Sequence, residues 1–191
     1  MQEKLEKLYI ECISELKKIN INVLNNPEIG EIDIKISKRN SKRYGCCKQE
    51  EPDINSGYIE RKGRKKIIKF KKFKKHHIEI SKWVLDLNDN IIKNTIMHEI
   101  IHCFPECNNH GENFKKYVKF INENLGYNIA RVGNKEEDYQ KSNLKYNEKI
   151  NYKYKIICKK CGQEFYRQRF NKNLIKNYRC KCGGRFNCYE I

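Results

Sequence analysis

Apolar residues recur along the first part of the chain in two different rhythms. Leu5, Leu8, Tyr9, Cys12, Ile13 and Leu16 fall three and four apart within residues 3–19, which predicts an amphipathic helix. After Asn25-Asn26-Pro27 the period drops to two. Ile32, Ile34 and Ile36 alternate with charged residues and predict a half-buried strand. Ser37 to Tyr44 is polar and basic, Gly45 punctuates it ahead of Cys46-Cys47, and Glu50–Gly57 reads as a loop. Ile78 and Ile80 predict another strand, which leads through Trp83-Val84-Leu85 to Asn88 or Asp89, either of them a good helix cap. In the helix expected over 89–104, Ile92, Ile96, Ile100 and Cys103 line a buried face, and Pro105 ends it. Phe114, Tyr117, Val118, Ile121 and Leu125 mark a further amphipathic helix, closed by Gly126. Residues 127–150 are polar and aperiodic and read as a linker with at most one short strand.

The last forty residues follow a different logic. Cys158-Lys159-Lys160-Cys161 and Cys180-Lys181-Cys182 bring two close thiolate pairs, the usual ligand set of a zinc ribbon. A module this short buries too little surface to fold without its metal. Cys188 is a spare thiol able to replace Cys180 or Cys182. Arg167, Arg169, Arg179 and Arg185, with Phe165, Tyr166, Phe170 and Tyr178, give this tail a basic and aromatic surface.

Length and composition add limits. A chain of 191 residues has room for one core and a small appendage. No apolar stretch approaches a membrane span and no apolar signal core opens the chain, so a soluble, cytoplasmic protein is expected. Its 10 cysteines are spaced as metal knuckles, as in a reducing compartment, rather than as the disulfide frame of a secreted chain. The net charge of +17 favours a polyanionic partner, nucleic acid first. An AT-rich genome enriches Lys, Asn and Ile by itself, but it does not deplete acids, and 24 acids stand against 41 bases. The densest cationic run is 61–75, where Arg64, Lys65, Lys66, Lys69, Lys71 and Lys72 are interleaved with Phe70 and Phe73. One reading is a ribbon that contacts phosphates and stacks a base; the other is a solvated β-hairpin whose Ile and Phe side chains pack on the sheet. His76 and His77, at its end, read as surface or DNA-facing residues and not as ligands.

The sharpest chemistry lies in His98-Glu99-Ile100-Ile101-His102. On a helix, residues four apart share a face, with Cβ atoms about 5–6 Å apart. Two imidazoles so placed suit one Zn²⁺ at about 2.0–2.1 Å. Glu99 lies roughly 100° round the helix, beside the metal, where a general base for water belongs. A glutamate as third ligand fails, because Glu123 is out of register, and Pro105 and Asn108 occupy the positions where a metzincin needs Gly and His. The turn Pro105–Asn109 instead returns His110 to the site, giving three protein ligands and an open fourth position. Cys103 reads as core, and Cys107, in the turn, as a neighbour of the site.

Taken together, the N-terminal helix, the Ile-rich strand before Tyr44-Gly45-Cys46, Ile78-Glu79-Ile80-Ser81, Met97 to His102, His110-Gly111-Glu112-Asn113-Phe114 and the final two-knuckle unit resemble the SprT-like family, which includes the Spartan proteases. The resemblance implies an α+β fold: a zincin-like minidomain over 1–150, its active-site helix on a short sheet, and a small β zinc ribbon over 151–191. It implies a zinc metalloprotease with one catalytic and one structural Zn²⁺ that cleaves proteins trapped on DNA. Single-stranded DNA or a single/double-strand junction would be bound without sequence preference, in the cytoplasm on the nucleoid or in a nucleus, away from membranes. The chain departs from the family pattern at 61–75, which reads as an enlarged hairpin, and it carries no separate motif for ubiquitin or a replication clamp. Two other functions compete: a non-catalytic nucleic-acid-binding zinc protein with a vestigial protease site, and a general peptidase with no DNA role.

Overall fold

The computed structural model describes residues 1–37, 39–40, 42–146 and 152–191. It is an α+β structure in two compact units, Met1–Tyr146 and Asn147–Ile191.

In the first unit, one strand organises the sheet. β1 (Glu31–Ser37) pairs in parallel with β5 (Phe73–Ser81), and β2 (Gly45–Pro52) pairs antiparallel with β5 on its other side, giving the order β1-β5-β2. Between β2 and β5 the chain makes a separate two-stranded ribbon from β3 (Gly57–Lys62) and β4 (Lys65–Phe70). Along β5, His76, Ile78 and Ile80 are buried on one face while His77 and Glu79 look the other way, the alternation of a sheet covered on one side. The uncovered face is closed by cross-strand charge. Lys48 meets Glu79 at 2.6 Å, and His77 lies between Asp33 at 3.2 Å and Glu50 at 3.3 Å.

The covered face takes α1 (Gln2–Lys18) and α2 (Asp89–Ile101). α1 contributes the expected stripe, with Leu5, Leu8, Cys12, Ile13 and Leu16 buried. α2 is apolar round most of its circumference because it touches α1, β2, β5 and α3 (Glu112–Leu125). Its start is fixed by Asn88, whose side chain accepts from the Ile91 N–H at 3.1 Å, and the 3-10 turn Lys82–Asp86 delivers the chain to that cap. The helix ends at Ile101, with His102 as its cap, three residues ahead of Pro105.

Three expectations are corrected. Glu50–Gly57 is not all loop, because β2 runs to Pro52; its residues lack apolar alternation and are held by backbone pairing at the sheet edge. Residues 127–146 are not a linker. Ile129 is buried in the core, and α4 (Lys135–Lys141) stacks Tyr139 on Trp83 with centroids 6.0 Å apart, while Asp138 accepts from the Tyr44 hydroxyl at 2.6 Å. Residues 147–150 of that expected linker lie outside the described residues. His76 is not a surface residue but is 1% exposed, and burial lowers its pKa to about 4.

The second unit holds β6 (Tyr154–Cys158), β7 (Glu164–Arg167), α5 (Lys172–Asn177) and β8 (Phe186–Glu190), with sheet order β7-β6-β8. Its buried cluster is Ile156, Cys158, Cys180 and Phe186. Cys188 lies in β8 opposite Ile156. Among the described residues of the chain, no helix is long and apolar enough to cross a membrane.

Asn88 also donates to the Lys141 carbonyl at 3.1 Å, so it ties the start of α2 to the end of α4. Asn88→Ala is expected to destabilise the first unit by about 1–2 kcal/mol, read as a lower urea midpoint with an unchanged slope.

Candidate active site

α2 carries two of the three imidazoles, and the turn after it returns the third. The Nε2 atom of His98 lies 3.2 Å from that of His102 and 3.0 Å from that of His110. The other ring nitrogens explain why these atoms converge. His98 Nδ1 donates to the Ala130 carbonyl at 3.0 Å and His102 Nδ1 to the Cys107 carbonyl at 2.7 Å. A carbonyl only accepts, so in a neutral ring the proton sits on Nδ1 and Nε2 is left bare. Burial lowers the pKa of His98 to about 4, helped by the neighbouring His102 and His110, and burial lowers those of His102 and His110 as well. All three are then neutral at pH 7, the form that ligates metal.

Two bare lone pairs aimed at each other across 3.2 Å repel unless a cation lies between them. Ligands about 2.0–2.1 Å from a tetrahedral zinc lie about 3.3–3.4 Å apart, close to the spacing here. The trio fits a zinc ion. Phe114, at the start of α3, backs the cluster: its ring centroid is 4.9 Å from His98, 4.7 Å from His102 and 4.8 Å from His110. Glu123 belongs elsewhere, exposed and 3.8 Å from Lys119.

Glu99 is 5% exposed and sits between α2 and the edge strand β2. Burial raises its pKa to about 8, against the pull of the Arg43 guanidinium and a hydrogen bond from the Cys47 N–H. Gly45 makes room for it. A Cβ there would meet Glu99 Oε1 at 2.7 Å and Cγ at 2.9 Å, so the close approach requires glycine although its φ is not left-handed. Gln49 of β2 donates to the His102 carbonyl at 3.1 Å, fastening the same strand to the end of α2. Cys103 is core, its Sγ 3.6 Å from that of Cys47. Cys107 serves through its carbonyl, while burial pushes its thiol up to about 11.

In the second unit, Cys158, Cys161, Cys180 and Cys182 bring their Sγ atoms within 4.8 Å of one another. Cys158 and Cys182 are 3.5 Å apart and Cys161 and Cys180 3.6 Å, near the roughly 3.8 Å of thiolates on a tetrahedral zinc. The backbone N–H groups of Cys161 and Lys160 stabilise the Cys158 thiolate. Cys188 is outside this group. Both the His trio and the Cys quartet could hold a metal ion.

The residues singled out for nucleic acid divide. Lys69 pairs with Glu60 at 2.6 Å, Lys71 with Glu106 at 2.5 Å, and Lys72 with Glu28. Phe70 is half-buried against Gly57. Arg64, Lys65 and Lys66 are exposed, as are Arg167 and Arg169 on the second unit. Sequence reasoning missed Gly45, Phe114 as the common backing of the trio, and the Ala130 and Cys107 carbonyls. The Gly in Tyr44-Gly45-Cys46 and the Phe four residues after His110 were the available signals; nothing in a sequence marks a carbonyl.

A model of the SprT-like family matches residues 13–133. No curated protein matches the chain. Because one ring supports all three imidazoles, Phe114→Ala is expected to cost about 3–5 kcal/mol. It should also lower metal occupancy of the His trio while the Cys quartet keeps its own, a difference that metal analysis combined with histidine NMR resolves.

Proposed function

The chain belongs to the SprT-like family, and from that membership and the His trio beside Glu99 we propose that it is a zinc-dependent endopeptidase acting on proteins held at DNA. The family points to a metallopeptidase-like domain, and the α-helix-on-sheet arrangement of the first unit fits a zincin-like minidomain. The observation that carries the reading is the pair of bare Nε2 atoms 3.2 Å apart with a buried carboxylate one residue along the same helix.

In this reading His98, His102 and His110 hold a catalytic Zn²⁺, and Cys158, Cys161, Cys180 and Cys182 hold a structural one. Bound zinc would supply Lewis acidity, lowering the pKa of water and polarising a peptide carbonyl. Glu99 accepts the proton of the attacking water and passes it to the leaving amine. Burial raises the Glu99 pKa to about 8, and the charge of a bound zinc would draw it back down, into the range where one carboxyl both takes and gives a proton. β2 is an edge strand whose Cys47 N–H is directed at Glu99, so its free edge offers backbone groups to an extended polypeptide close to that carboxylate. The net charge of +17 and the exposed cations Arg64, Lys65, Lys66, Arg167 and Arg169 support association with DNA. Substrate choice then follows from co-location on DNA.

The rival, a non-catalytic nucleic-acid-binding zinc protein, draws on the same burial of Glu99, since a protonated carboxyl there can serve only to position its neighbours. Cleavage of a DNA-binding protein, with and without single-stranded DNA, separates the two. Glu99→Gln is expected to abolish cutting, by at least about a hundredfold, while zinc content stays unchanged. Wild type that holds zinc and binds DNA but cuts nothing would overturn the protease reading. Wild type is expected to carry two zinc ions per chain. His110→Ala and Cys158→Ser should each remove one of them, by elemental analysis; loss of both from either substitution would refute two independent sites.

A further inference from the structure

The β3–β4 ribbon stands outside the three-stranded sheet, and its residues follow an order that neither the core nor the metal sites explain. Its register sets Ile59 opposite Ile68, Arg61 opposite Lys66, and Lys62 opposite Lys65, with Gly63-Arg64 closing the turn. Gly63 has φ +62° at the first central position, as a type II′ turn requires. Ile59 and Ile68 are 62% and 67% exposed, so they do not pack on the sheet.

Charge separates the root of the ribbon from its tip. At the root Lys69, Lys71 and Lys72 are neutralised by Glu60, Glu106 and Glu28. Arg61, Arg64, Lys65 and Lys66 at the tip are exposed and have no ion pair among the described residues. Like charges directly opposite each other weaken a hairpin, and Arg61 and Lys66 are such a pair. That repulsion is the kind a polyanion would relieve. Because side chains alternate along a strand, Lys65 and Lys66 face opposite sides of the ribbon.

Resting on the reading that the chain works at DNA, we propose that the β3–β4 ribbon is a groove-binding arm for double-stranded DNA. Ile59, Arg61, Lys66 and Ile68 share the face turned into the groove: Arg61 and Lys66, on opposite strands, reach its two phosphate walls, the isoleucines lie against the sugar and base edges, and Arg64 and Lys65 add charge at the tip. Cations on both strands of that face match two phosphate walls, with an apolar pair between the strands for the groove floor. The order along the ribbon decides against a lipid bilayer, since an inserting hairpin carries its apolar residues at the tip with the cations behind. Here the isoleucines are behind. A two-stranded ribbon is also of a width that the major groove admits.

The test compares the full chain with Arg61→Gln/Arg64→Gln/Lys65→Gln/Lys66→Gln and with the charge-keeping Arg61→Lys/Arg64→Lys. Binding is followed across a salt series to a mixed-sequence DNA duplex, to the single strand of the same length, to phosphatidylserine-containing vesicles and to polyglutamate. We expect the duplex to be the tightest ligand and the fourfold variant to bind it about tenfold or more weakly. The slope of log affinity against log salt should fall by at least about 2, at roughly 0.9 for each phosphate no longer neutralised. The Lys-for-Arg variant should keep the slope, which distinguishes removal of charge from a misfolded ribbon. Duplex affinity and slope unchanged in the fourfold variant would overturn the proposal. So would a single strand, vesicle or polyglutamate bound as tightly as duplex through the same tip. If wild type binds no DNA, the DNA arm of the proposed function fails with it; if wild type binds and the fourfold variant binds equally, only the ribbon assignment fails.

Discussion

The bare Nε2 atoms of His98 and His102 repel each other, and much of the first unit is arranged so that they have no other direction to point. The Ala130 and Cys107 carbonyls take the Nδ1 protons of His98 and His102. That fixes both the tautomer and the ring plane, as orienting partners do at metal sites generally. One of these carbonyls lies in the turn behind α2, and the other in the segment after α3. The site therefore depends on two pieces of chain that contribute no ligand atom, and on Phe114, which keeps the rings from swinging away from one another.

The same economy of parts extends to the sheet. β5 is its middle, so β1 and β2 are both placed by it, and β2 in turn brings Gly45, Cys47 and Gln49 against α2. Tyr44, one residue before that strand, is anchored by Asp138 and packs against Trp83 with centroids 4.7 Å apart. The polar segment after α3 thus reaches the active site twice, through Ala130 and through Tyr44. In the second unit, two of the four residues in the buried hydrophobic cluster are the cysteines Cys158 and Cys180, so its core and its metal site are one object.

The elements that show in the sequence are those whose side chains face one apolar surface at a regular interval: α1, β1, the end of β5 and α3. The His trio is legible for a related reason. Its ligands are side-chain types at helical spacing, followed by a proline stop, and chemistry carried by side chains is written in the sequence. β2 and α4 are not legible because they are held by other means. β2 is an edge strand held by backbone pairing, cross-strand charge and a few inward contacts, and α4 is held by widely spaced anchors, Tyr139 and Asp138, that make no periodic pattern. His76 reads as a surface residue because its neighbours are lysines, although its place on β5 is an inward one.

Gly45 shows how one position can be constrained by another with no say of its own. Its backbone is ordinary, and any residue could adopt it; what forbids a side chain there is the carboxylate of Glu99, 2.7 Å from where a Cβ would stand. The two positions thus share one space, although they lie 54 positions apart in the sequence. Shortening residue 99 would still leave the Glu79 carbonyl 3.1 Å from the same Cβ, and Glu99→Gln, equal in size, would leave the crowding as it is. A side chain added at position 45 would therefore be felt first by the buried acid, as a push away from the place it now holds.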